Sequence, residues 1–191
     1  MRSPFYFIVR PVNGRRYDNI KTLGDVEMIT SVSQEDHMSS NRFAEVISTP
    51  SGYDGPISEG DTLLVHHNVF KIYYDMKGRE RSGFSFLKDD TFFVDYEQFF
   101  LYLHDGEWMA HSKYCFIKPS KMREEYLATS LTEQPLLGTI RYINQELLDL
   151  GLSVGDEITF EPESEYEFTV EGEKLYRMFT NNIAIRWTQT T

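Results

Sequence analysis

Apolar residues along this chain gather in short runs, each cut off by glycine, proline, aspartate or asparagine. The first run is Phe5–Val9, closed by Arg10-Pro11. Proline donates no ladder hydrogen bond and suits a strand end. Phe43–Ser48 (FAEVIS) is the next mostly apolar run. Thr62–His66 follows a tight Gly60-Asp61 turn, and Phe92–Val94 and Phe99–Leu103 come later. Runs of this length, bounded by turn formers, predict β-strands. Thr49–Pro56 (TPSGYDGP) is dense in turn formers, and Met76–Gly83 (MKGRERSG) predicts a charged hairpin tip. Asn13–Asn41 holds only scattered apolar residues and predicts a loop well beyond the usual ~12–15 residues, hence a functional or mobile one. Gln145–Gly151 (QELLDLG) is the one predicted helical turn.

The same series is written twice. YFIVRP (Tyr6–Pro11) matches YCFIKP (Tyr114–Pro119), 108 residues on. FAEVI (Phe43–Ile47) matches LGTIR (Leu137–Arg141) at 94 residues, and ISEGDTLLV (Ile57–Val65) matches LSVGDEITF (Leu152–Phe160) at 95. FFVDYEQFFLY (Phe92–Tyr102) matches YRMFTNNIAIR (Tyr176–Arg186) at 84. Four blocks in one order predict a duplication. The shrinking separations place a longer loop after the first proline and a longer hairpin after the first Gly-Asp turn, where a fold tolerates insertions.

Composition narrows the class. With 14 Phe and 12 Tyr among 191 residues, the chain can bury a core and leans toward strands. A net charge of −11 repels phosphate backbones and anionic lipid, so neither nucleic acid nor a membrane is an expected partner. No apolar run approaches the ~20 residues of a bilayer span, and the opening MRSPFYFIVRP is too short for a secretion signal. Cys115 is the single cysteine, which fits a reducing cytoplasmic setting. It sits in an apolar run and is expected to be a buried packing residue rather than a nucleophile.

Candidate chemistry is sparse. His66 and His67 are adjacent, and strand alternation would send them to opposite faces, away from any shared metal ion. A structural role is the expectation for both, against metal binding or acid–base work. His104 and His111 flank Asp105 and Glu107 in His104–Ser112, a predicted linker. Glu161, Glu163, Glu165 and Glu167 alternate along EPESEYEF, which predicts one charged strand face, exposed or met by a partner's bases. None of the motifs GxSxG, HExxH, GxxxxGK[ST] or GxGxxG is present.

A strand ending in base-proline, a long polar segment, a second strand, a Gly-Asp turn, a hairpin and a closing strand form a recognisable series. It resembles the GroES-like co-chaperonin family, in a tandem, two-copy form such as a phage-encoded member. In the first half Val9-Arg10-Pro11, Ala44-Glu45-Val46, Ile57–Asp61 and Phe93–Leu101 carry the resemblance. In the second half Ile117-Lys118-Pro119, Gly138-Thr139-Ile140, Leu152–Asp156 and Asn182–Ile185 carry it. The resemblance implies an all-β fold of two tandem small GroES-like β-barrels: residues 1–103, a linker at 104–112, and residues 113–191. It implies a non-enzymatic protein without cofactor or metal, a ring-forming lid over a chaperonin in the host cytoplasm. Its partner-binding loop would carry Val26, Met28 and Ile29 in the first copy and Tyr126, Leu127 and Leu131 in the second. The hairpin Tyr74–Gly83 would stand at the family's roof. The alternative is a structural subunit of a virion, a ring, decoration or head–tail connector protein contacting other virion proteins. Phe99, Phe100, Tyr102 and Trp108, expected to be exposed, would then form permanent interfaces.

Overall fold

Six strands recur twice along the chain in the same spatial order. The computed structural model describes residues 2–17, 20–23, 26–29, 40–123 and 131–187. The first strands are β1 (Phe7–Pro11), β2 (Ile20–Leu23), β3 (Val26–Ile29), β4 (Phe43–Ser48), β5 (Thr62–Val65) and β6 (Ile72–Tyr74). Then come β7 (Glu80–Ser82), β8 (Phe86–Lys88), β9 (Thr91–Val94), β10 (Phe99–His104) and β11 (Glu107–Ala110). The rest is β12 (Tyr114–Arg123), β13 (Leu131–Tyr142), helix α1 (Gln145–Asp149), β14 (Glu157–Phe160), β15 (Tyr166–Val170), β16 (Glu173–Phe179) and β17 (Ile183–Trp187). The protein is therefore all-β. Two compact units divide between Glu107 and Trp108. The stretch 104–112, expected as a linker, contains this division and carries the end of β10 and all of β11.

One sheet orders its strands β11-β10-β5-β4-β1-β9-β8, and the other β17-β14-β13-β12-β16-β15. Strand neighbours in both sheets pair antiparallel. Among the described residues neither ladder closes on itself, so the strand pairing shows two open sheets rather than closed barrels.

The correspondence extends to single residues. Val9 opposes Val46 and Pro11 opposes Ala44, just as Ile117 opposes Ile140 and Pro119 opposes Gly138. A bulge sits between Ile8 and Val9, and another at the matching place between Phe116 and Ile117. The pairs Phe7–Val94 and Leu63–Tyr102 are answered by Cys115–Met178 and Ile158–Arg186. These are the sequence separations of 108, 94, 95 and 84 residues, now kept by the hydrogen-bond ladder. A slip of one residue would turn each apolar set to the other face, so conserved register means a conserved core. Phe7, Val9, Val46, Leu63, Val65 and Val94 pack in the first unit, and Cys115, Ile117, Ile140, Ile158, Phe160 and Met178 in the second. Burial pushes the Cys115 thiol up to about 12, so it packs as a small apolar group.

The Gly-Asp turns are equally matched. Gly60 N donates to Val46 O at 2.8 Å, and Gly155 N to Ile140 O at 2.8 Å. Asp61 Oδ2 accepts from Ser58 N at 2.7 Å, and Asp156 Oδ2 from Ser153 N at 2.8 Å. Both glycines have positive φ, 95° and 91°, which a side chain would strain. Among the described residues no helix is long and apolar enough to cross a membrane.

Candidate functional site: arms at matching junctions

In each unit the chain continues outward past the base-proline segment before the next strand of the sheet, as a separate two-stranded ladder in the first unit and as a prolongation of β12 and β13 in the second. The first excursion was expected as an irregular loop, and its described part is a hairpin. β2 pairs with β3, setting Ile20 opposite Ile29, Lys21 opposite Met28, Thr22 opposite Glu27 and Leu23 opposite Val26. Val26, Met28 and Ile29 thus stand at register positions of a strand. Strands without an apolar alternation read as loops in a sequence, because the signal reports a buried face rather than pairing.

The root of this arm is fastened. Tyr17 bridges Ser40, and Asn41 N donates to Arg16 O at 2.9 Å. The Asn41 side chain donates to Val12 O at 3.0 Å and Arg15 O at 2.7 Å, tying the outgoing chain to the returning one. Arg16 lies over Phe92 and Phe86 and pairs with Asp90 at 2.9 Å. Tyr17 Oη accepts from Ile72 N at 2.8 Å. An open depression of about 420 Å³ lies here, lined by Asn13, Arg15, Tyr17 and Asn41 among others.

The second excursion prolongs β12 and β13 themselves. Past an irregularity between Pro119 and Lys121, Lys121 opposes Glu133, Met122 opposes Thr132, and Arg123 opposes Leu131. Leu131 therefore starts the returning strand, while Tyr126 and Leu127 lie outside the described residues. A charged cluster braces the base of this arm. Glu133 accepts from Tyr176 Oη and pairs with Lys174 at 2.9 Å, and Lys174 also reaches Glu167 at 3.1 Å. The Tyr176 hydroxyl, and then Lys174, hold the Glu133 carboxyl below its usual range.

Several sequence expectations change at this level. β5 ends at Val65, so His66 and His67 leave the strand and do not alternate. A turn closed by Val69 N to His66 O brings their rings together, 4.1 Å between centroids. His66 Nδ1 accepts from Asn68 N at 3.2 Å, a local capping role. Among the described residues no three His, Cys, Asp or Glu side chains form a group able to hold a metal ion. His104 reaches back to the first Gly-Asp turn, with Nδ1 at 2.8 Å from Asp61 Oδ2. That hydrogen bond raises the His104 pKa. Glu161, Glu163 and Glu165 fall in the turn before β15 rather than on a strand face, and only Glu167 lies in a strand.

The aromatic expectation reverses. Phe99, Phe100 and Tyr102 are buried, because β10 lies inside its sheet and both its faces are covered. Trp108 is half-buried. The exposed apolar side chains lie elsewhere. Met76 and Phe84 are fully exposed beside Tyr73 and Tyr74. In the second unit β17 ends its sheet, and Ile185 is 50% exposed where its counterpart Leu101 is 0%. Sequence reasoning missed this edge, since IAIRW and its counterpart FFLYL are both largely apolar, and the letters do not say whether another strand lies alongside.

Compared with known proteins, the chain matches no family model and no curated sequence.

Proposed function

We propose that this chain is a non-enzymatic, ring-forming lid subunit of the co-chaperonin kind, which grips a chaperonin through its two arms. In this reading each unit is a small barrel-like β-fold of the GroES-like type whose strand ladder stays open among the described residues, and the pair forms a tandem. One observation carries the proposal: an arm is inserted at the same junction of two register-matched units, held at its root and polar along its length. Such an arm suits a reversible grip. Ordering it against a partner costs entropy, which limits affinity and lets the partner go. Val26, Met28 and Ile29 in the first arm, and Tyr126, Leu127 and Leu131 in the second, are the anchors in this proposal. The outer side of β17, unpaired among the described residues, supports assembly into a ring, since an open strand edge is a template for another chain.

Refolding of a chaperonin-dependent substrate tests the grip. Met28→Glu with Ile29→Glu should abolish assisted refolding while the thermal unfolding transition stays in place. Undiminished refolding by that double variant would remove the first arm as the gripping element.

A second reading has its own support. Ile185 and Trp187 on the edge strand of one unit, and Met76 and Phe84 at the hairpin of the other, are large apolar side chains in water, and apolar patches of this kind mark interaction sites where they are contiguous. A permanently assembled shell or connector in a virion would cover them. Co-purification from the native host separates the two, by whether the chain travels with a chaperonin or with capsid proteins.

A further inference from the structure

The hairpin β6–β7 has no counterpart in the second unit. It stands between β5 and β8, where the second unit has only the short connection from β14 to β15. Tyr73 and Tyr74 are exposed, Met76 is 105% exposed, and Phe84 just beyond the hairpin is 106% exposed. Lys71, Lys77, Arg79 and Arg81 outnumber Asp75 and Glu80, so this tip is basic on a chain of net charge −11. The tip is also braced. Asp75 pairs with Arg79 at 2.9 Å and Arg81 at 3.4 Å, and accepts the backbone N–H of Lys77 and Arg79. A surface fixed beforehand loses less entropy when it docks.

The matching junction of the second unit has the opposite sign. Glu161, Glu163, Glu165 and Glu167 are all exposed. Glu161 accepts from Asn182 at 3.0 Å and Glu167 pairs with Lys174. Glu163 and Glu165 make no ion pair among the described residues. Each chain thus carries an exposed basic, aromatic knob on one unit and an exposed acidic loop on the other, both exposed among the described residues. Complementary patches on one subunit define a head-to-tail contact between copies.

We propose that the β6–β7 hairpin of one copy docks on the Glu161–Glu167 loop of a second copy of this chain. Lys77 meets Glu163 and Glu165, and the apolar side chains of the hairpin are covered beside them. The contact rests on the self-assembly part of the proposed function and needs no chaperonin.

Sedimentation of the full chain over a concentration series tests it, at about 50 and 500 mM salt, where screening differs most. Wild type should associate more tightly at the lower salt. Lys77→Glu alone, and Glu163→Lys with Glu165→Lys, should each weaken association about tenfold, a typical loss for one charge pair. All three changes in one chain should restore it. Zero-length carbodiimide cross-linking of an equal mixture of ¹⁴N- and ¹⁵N-labelled protein should join Lys77 to Glu163 or Glu165 in isotopically mixed pairs. A chain that stays monomeric at every concentration overturns the contact, as does association that the triple variant fails to restore. Cross-links confined to single-isotope pairs also overturn it, placing the contact within one chain. If the chain assembles but ignores all three changes, this contact falls while ring formation through β17 stands.

Discussion

Asp61 and Asp156 hold the same place in the two units, yet their charged partners differ. Each caps its turn through a serine N–H, but Asp61 faces His104 and Asp156 faces Arg186 at 2.9 Å. The guanidinium is always charged, whereas the imidazole is charged only at acid pH. The hydrogen bond to Asp61 raises the His104 pKa above its ordinary 6.5. A raised folded-state pKa contributes stability that is fully present below 6.5 and lost as pH climbs through the folded value. Wild type should therefore melt above His104→Gln at about pH 5.5 to 6, and the gap should narrow as pH rises above 6.5. A gap that does not vary with pH would show that the imidazole charge plays no part. The histidine pair shows how far a sequence reads at this scale. Alternation predicted His66 and His67 on opposite faces, but a turn starting one residue past β5 stacks them side by side.

At the scale of elements, the four repeated blocks were legible because each combines an apolar run with a residue of fixed backbone meaning. The Gly-Asp turns are the clearest case. Both glycines have positive φ with open space around them, so any substituent is strained rather than clashing. Gly60→Ala and Gly155→Ala should each destabilise by about 1–2 kcal/mol, the cost of a side chain in left-handed backbone. Urea unfolding of the two variants checks this, and an effect at only one turn would break the equivalence. The arms were not legible as strands. Residues 20–29 and 119–135 carry charged, polar and proline residues among their apolar ones, so no period of two stands out. Four consecutive apolar residues in FFLY were equally misleading, because a strand inside a sheet buries both faces and an interface shows the same letters. Glu161–Glu165 alternate like a strand, but φ of 60° at Glu163 marks a turn that alternation alone does not reveal.

For the whole molecule, the duplicated ladder separates what is shared from what each copy adds. Strand order, register, bulges and the Gly-Asp turn are common to both units. The arms, the basic hairpin, the acidic loop and the open β17 edge are where the copies differ from a plain sheet. Function concentrates in such additions, since the shared part is committed to packing. The duplication was visible in the sequence, but which parts face a partner was not, because exposure depends on neighbours brought together only by folding. Amide hydrogen exchange of the full chain, alone and with a purified chaperonin ring and nucleotide, tests the central claim most directly. The account predicts new protection in residues 20–29 and around 121–133, with core amides such as those of Val46 and Ile140 protected equally in both states. Unchanged exchange in both arms beside a ring that is folded and nucleotide-bound would contradict it.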